Sequence, residues 1–420
     1  MAMRGDRRGS LPKVLISSWL WHLTRWDGLF LGTYLVTHLG GRPIDNQLAG
    51  FAMFSPMLLG AYVASRTRRD VEPRRLVLFT ELALLPISAV MIAVVSTGAV
   101  QTWMVYLFEL AYGFGGLVNM TAQRELLFRI AGPEHSHRAV SAEMAGLASA
   151  TMLGPLIGGV TIGVFGLGAA FAVPTVLLAG STALLWHATR GMPADAPATA
   201  GPDTMSTAAP GPTGWQLLRR SPALRVVLLV TVICNLSYFA FMPLVPVIAN
   251  GLGAGAAMAG VIGSAAGTVQ LVTAAALVIW PARRPGASYA FAVALCLCCL
   301  GVLSYAPAVA VALLALGAAG IGQAYFGTMQ ATLSVDAVAP HERTAALGLL
   351  STTIGLALPS GMVILGVTAG LLGTRLAMLV SAVVGLVALT ATLLGSPQLM
   401  RSPTTARPTA VSPHTVSPDA

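Results

Sequence analysis

Apolar runs of about 20 residues recur along the whole chain, separated by short breaks holding Arg, Pro, Gly and Asp. A helix of that length rises about 30 Å, the thickness of a bilayer's hydrocarbon core. The pattern predicts an all-α membrane protein with twelve transmembrane helices, at residues 14–37, 43–65, 76–98, 102–127, 139–163, 167–189, 223–248, 254–281, 287–305, 308–333, 344–369 and 373–395. Short segments of alternating polarity, which a transmembrane barrel needs, do not occur. Two stretches break the rhythm. Residues 190–222, rich in Ala, Pro, Gly, Thr and Asp, read as a linker, and residues 396–420, rich in Ser, Thr and Pro, read as a disordered tail. The expected organisation is an N-terminal segment 1–13, a six-helix bundle 14–189, the linker, a second six-helix bundle 223–395, and the tail.

Composition agrees with the pattern. Only 9% of residues are charged and 55% are hydrophobic, where a soluble domain carries about 25% charge. The net charge of +9 would suggest nucleic acid in a soluble protein. Here its distribution matters more. With the N-terminus inside, every one of the 24 basic residues falls in a cytoplasmic segment except Arg25, Arg42 and Arg375. That satisfies the positive-inside rule and predicts a multi-pass protein of a bacterial cytoplasmic membrane with both termini cytoplasmic. The arginine-rich stretch GAYVASRTRRDVEPRR (60–75) becomes a cytoplasmic turn between spans two and three, and a nucleic-acid partner is not expected. The basic start MAMRGDRRGSLPK reads as an anchor for the first helix, because no small-residue cleavage site follows it.

Catalytic and metal signatures are missing. Cys234, Cys296, Cys298 and Cys299 sit in apolar runs, where Cys behaves as a small hydrophobe. The histidines show no zinc spacing, and no phosphate-binding GxxxxGK[ST] occurs. The sequence therefore reads as a non-enzyme, with no cofactor and no metal, not driven directly by ATP.

The two halves resemble each other. GPEHSHRAVSAEMAGLASATMLGPLIGG (132–159) leads into and forms span five, and APHERTAALGLLSTTIGLALPSG (339–361) does the same for span eleven; LAGFAMFSPMLLG in span two echoes MAGVIGSAAGTVQ in span eight. Equivalent order in both halves is the mark of a parallel repeat about an axis along the membrane normal, with a path between the bundles. With ATMLGPLIGG in span five, and WDGLF, FSPMLLG and FMPLVPV in spans one, two and seven, the chain resembles major facilitator superfamily transporters over nearly all of residues 14–395. Its branch resemblance is to drug/proton antiporters and siderophore exporters. The resemblance implies a monomer that moves a small-molecule substrate against protons across the lipid bilayer, with export of a drug, siderophore or secondary metabolite as the leading expectation. Proton-linked import of a metabolite is the alternative, and a non-transporting membrane sensor the third reading.

Candidate residues follow. Ala150, Gly154, Pro155, Gly158 and Gly159 match the antiporter-type helix motif. Independently of family, Pro155 removes one helix hydrogen bond, and glycines four apart let a neighbouring helix come close. Resemblance adds that such a helix seals exporters against leak. Arg25 and Asp27 lie mid-span, where a charge costs about 2.5–3.5 kcal/mol on insertion scales and needs a cavity or partner. Two apart, they point to different helix faces. Asp27 is expected to face the central cavity and carry a proton or meet a cationic substrate. Glu109 stands where the resemblance places a cavity arginine, four residues before Gly113. A carboxylate in a partly dehydrated site suits proton exchange; the plain alternative is a hydrated carboxylate near the outer surface. Glu81 reads as hydrated or paired near the cytoplasmic end of span three. Asn119, Gln123, Asn235, Tyr238, Gln323, Tyr325 and Gln330 are candidates to line the cavity, or to hold helices together by hydrogen bonds. Gly60, Arg66, Arg69, Arg124, Glu125 and Glu143 are the expected cytoplasmic gate, a cluster of weak ion pairs. The family signature after Gly60 calls for an Asp four residues on, where this chain has Ala64, so an Asp-based latch is not expected.

Overall fold

The computed structural model describes residues 3–59, 72–190 and 214–396. Gly60, Arg66 and Arg69 of the expected gate, with Ala64, lie outside them, as do most of the linker and the tail. The described residues fold into helices: α1 Met3–His38, α2 Pro43–Phe54, α3 Pro73–Ser96, α4 Thr102–Phe165, α5 Leu167–Ala170, α6 Ala172–Thr189, α7 Gly214–Arg220, α8 Pro222–Ser237, α9 Val245–Gly251, α10 Ala256–Ile279, α11 Pro285–Ser304, α12 Val309–Asp336, α13 Arg343–Leu372 and α14 Thr374–Gly395. Tight 3₁₀ turns occupy Ser55–Leu59 and Phe239–Leu244.

Local chemistry sets the ends. Proline opens α2, α3, α8 and α11, where its missing N–H is no loss. Gly166 and Gly373 close α4 and α13 with φ of 83° and 82°, a region that side chains with a Cβ avoid. The two glycines hold equivalent places in the two halves, so the repeat extends to backbone conformation. The expected turn between spans four and five falls at Gly132 (φ 68°, ψ 172°), whose non-helical backbone divides α4 into two helical arms. The arms, 102–131 and Ser141–Phe165, both reach α1, where Gly116 of the first lies against Arg25 and Gly154 of the second against Asp27.

Among the described residues nine helices are long and apolar enough to cross a membrane. The other three expected spans, 14–37, 43–65 and 102–127, are helical in α1, α2 and the first arm of α4 but fall outside that nine. The reason is composition. Arg25 and Asp27 interrupt the first, Glu109 and Arg124 the third, and the second continues into residues outside the description. Large apolar side chains cover the outside: Phe79, Phe165, Val278 and Leu394 are all at least 72% exposed. That surface needs lipid around it, since water would make it an aggregation face.

Helix contacts divide the molecule in two. α1, α3, α4 and α6 pack together, and α8, α11, α12, α13 and α14 form a second group. The halves meet along two seams, α4 against α10 and α2 against α13. The repeat exchanges these seams, since span five corresponds to eleven and span two to eight.

Candidate functional site

A cavity of about 400 Å³ lies between the halves, within the range of small-molecule sites. One wall comes from α1, the end of α2 and both arms of α4, and the other from α8 through α10, α12 and α13. The lining mixes aliphatic side chains with aromatic rings and thioethers. Trp26, Phe30, Phe54, Met57, Met120 and Met144 face Phe239, Phe241, Met242 and Phe326. Unbranched methionines and flat rings adapt to differently shaped ligands. The polar contribution is unequal: His22, Arg25, Arg124 and Glu143 come from the first half, and the neutral amides Asn235, Gln270, Gln323 and Gln330 from the second.

At the end of the bundle that holds the 39–42 turn, the halves are joined by hydrogen bonds. Asn46 Nδ2 donates to the Thr33 carbonyl (2.8 Å) and to the Pro243 carbonyl of the other half (3.3 Å). Gln47 Nε2 donates to the Ala240 carbonyl (3.0 Å). The acceptors belong to the 3₁₀ segment that interrupts span seven around Pro243 and Pro246. Missing proline N–H groups there leave carbonyls without a regular helix partner. Neither amide stood out in the sequence. The paired prolines of FMPLVPV were the available signal, because broken helices in membranes must satisfy their backbone from neighbours.

The motif helix is wedged between two partners. A Cβ built on Gly154 would lie 2.7 Å from the Asp27 backbone nitrogen, one on Gly158 2.5 Å from Asp27 Oδ1, and one on Gly159 2.6 Å from Gly260 Cα. Side chains would hold these helices apart, so the glycines allow α4 to touch α1 on one face and α10 on the other. Ala150 is fully buried beside them and Pro155 lines the cavity.

Asp27 does not line the cavity. Its carboxyl is buried against Gly158, and neither oxygen has a hydrogen-bond partner. Residues two apart sit about 200° round a helix, so the face that buries Asp27 turns Arg25 to the cavity, where its guanidinium lies 5.4 Å over the Phe54 ring and beside Gly116. Glu109 is fully buried, not hydrated: its carboxyl sits over Gly32 of α1, again without a hydrogen bond.

Of the other candidates, Asn235, Gln323 and Gln330 line the cavity, while Asn119, Gln123, Tyr238 and Tyr325 do not. Asn119 donates to Glu81 Oε1 (3.2 Å), which also accepts from Ser181 (3.1 Å), and Thr182 donates to Oε2 (2.9 Å). Glu81 is therefore paired and buried, in a polar knot that ties α3, α4 and α6. Tyr238 accepts from Gln323 Nε2 (2.8 Å), at the cavity's edge. The gate residues that are described pair within α4. Arg124 meets Glu143 at 3.5 Å across the Gly132 kink, and Arg129 meets Glu125 one turn away. Both pairs lie in one half, so neither bridges the halves. Among the described residues no cluster of His, Cys, Asp or Glu is arranged to hold a metal.

The sequence matches the profile of the Major Facilitator Superfamily over residues 27–333 and 227–416. No curated protein matches it. Solved structures share the fold. A bacterial homolog of the human lysosomal transporter Spinster, inward-facing and unoccupied, aligns with a TM-score of 0.70 at 14% identity, over 96% of this chain and 99% of that one. The nucleoside transporter NupG gives 0.69 at 13% identity, over 92% and 99%. An auto-inhibited peptide transporter of the POT family gives 0.67 at 14% identity, over 95% and 99%.

Proposed function

We propose that this chain, which belongs to the Major Facilitator Superfamily and is therefore a secondary transporter and not an enzyme, exports a small amphipathic organic molecule in exchange for protons. Two bundles rocking about the cavity would expose it to each side in turn. The observation that carries the reading is the cavity itself, walled by both halves, closed at the 39–42 end by Asn46 and Gln47 and flanked by the glycine-packed helix. With both termini cytoplasmic and twelve spans, the joined end is external and the cavity belongs to an inward-facing state.

Asp27 is the proposed proton carrier. An ionised carboxylate buried without a partner costs several kcal/mol, so the packing against Gly158 accommodates the neutral acid. Losing the proton favours parting of α1 from α4 and entry of water. Coupling would then run through the helix interface and not through direct contact with substrate. Glu109, whose buried carboxyl over Gly32 has no hydrogen-bond partner, is the second candidate, and proton-linked import is the alternative direction.

Inverted vesicles distinguish the two. Under export, an acid-inside gradient drives uptake of a transported compound, and Asp27→Asn abolishes the gradient dependence while leaving exchange of compound for compound. Uptake that requires protons to move in the same direction as the compound would establish import.

A further inference from the structure

We infer that Arg25 makes the cavity a site for amphipathic anions: the guanidinium takes the carboxylate, sulfonate or phosphate of the ligand, and the aromatic and methionine wall takes its apolar body. The inference rests on the cavity being the transport site and is independent of the direction of transport.

The charges of the lining lead there. Arg124 is matched by Glu143 at 3.5 Å, and Glu143 is the only acid that lines the cavity among the described residues. Arg25 has no such partner. It is 6% exposed and its Nε has no acceptor; no ion pair or hydrogen bond from its guanidinium occurs among the described residues. The carboxyl of Glu109 lies over Gly32, away from the lining. A guanidinium resting on a ring keeps its in-plane N–H donors for an incoming anion. The opposite wall supplies only neutral amides, and Gln330 Oε1 is itself without a partner. A cationic ligand would find no free acid, whereas an anion would neutralise a buried charge that is otherwise expensive.

Three probes with one apolar body test this: 1-naphthaleneacetate, 1-naphthaleneacetamide and 1-naphthylmethylammonium. They compete against tritiated 1-naphthaleneacetate in a scintillation-proximity assay on the full chain in phosphatidylcholine nanodiscs. The acetate should bind at least tenfold more tightly than the amide, the scale of one charge-assisted hydrogen bond, and the ammonium weakest. In Arg25→Gln the acetate should fall to the affinity of the amide, with the amide unchanged; Arg25→Lys should keep part of the preference. Equal affinities in the wild type, a preference for the ammonium, or no binding of the acetate overturns the inference without any variant having to fold. An acetate affinity unchanged in Arg25→Gln also overturns it. The measurement is at equilibrium with no proton gradient, so it can fail while gradient-driven transport in vesicles stands, and the reverse.

Discussion

Replacing Gly159 by alanine tests whether the α4–α10 seam holds the bundles in this arrangement. The new Cβ would lie 2.6 Å from Gly260 Cα, 2.7 Å from the Ala256 carbonyl oxygen and 2.8 Å from the Gly260 nitrogen. All three are backbone atoms, so no side-chain rotation relieves the clash. Ordinary contact begins at 3.4 Å, and the helices must separate by most of an ångström. Forced overpacking of this kind costs about 1–3 kcal/mol, which is roughly five- to 150-fold in the balance between this state and one in which the seam has opened. Gly260→Ala should behave alike, because its Cβ would meet the Pro155 carbonyl at 2.4 Å. The two together should cost less than the sum, since either alone opens the same seam. Gly158→Ala serves as the contrast. Its closest clash is with a side-chain oxygen of Asp27 at 2.5 Å, which can swing aside, so it should disturb coupling more than the seam. Spin labels at Leu39→Cys and Gly251→Cys, exposed ends of the two halves, in a background lacking the four native cysteines, would report the separation by pulsed electron resonance. A longer-distance population should appear in Gly159→Ala. An unchanged distance distribution together with an unchanged melting temperature would refute the reasoning.

Other expectations follow from the same contacts. Asn46→Ala and Gln47→Ala each remove a hydrogen bond between the halves, worth about 0.5–1.5 kcal/mol, and should raise the longer-distance population in the same assay by up to about tenfold. Glu81→Ala takes the acceptor from the buried Asn119 amide and leaves the Ser181 and Thr182 hydroxyls with the Ser17 and Leu178 carbonyls, so the melting temperature in detergent should drop, while Glu81→Gln, which keeps an acceptor, should recover much of the loss. Arg124→Gln breaks a pair whose arginine side chain is 40% exposed; screening limits that interaction to about 1 kcal/mol, and thermal stability should change little. Glu109→Gln should abolish proton-dependent transport if Glu109 carries the coupled proton, and leave it intact if Asp27 does; gradient-driven uptake in vesicles reads the difference.

The first half of the sequence shows both sides of what could be read in advance. The break at Gly132 was visible, because Gly-Pro interrupts a helix, and its non-helical backbone turns the chain between the two arms of α4. Arg25 and Asp27 were legible as costly mid-span charges on different faces. Which of them met the cavity depended on where glycines on another helix, about 130 positions later, left room. Asn119 looked like a cavity residue, and became a ligand of Glu81 once α3, α4 and α6 were assembled. Gln123 and Tyr325 were equally polar and ended elsewhere.

By itself the sequence determined that the chain is a helical membrane protein built from a repeat. Each apolar run satisfies its own backbone hydrogen bonds inside lipid, and its start and end depend on neighbouring proline and glycine. That physics is local, so it shows in a linear pattern, down to the matching turns at Gly166 and Gly373. The tertiary structure alone decided how the polar groups were shared out. Asn46 finds one of its acceptors 197 positions away and Glu81 its donors 38, 100 and 101 away. A buried polar side chain is placed by whichever partner the packing of whole helices delivers, and no spacing along one helix encodes that partner.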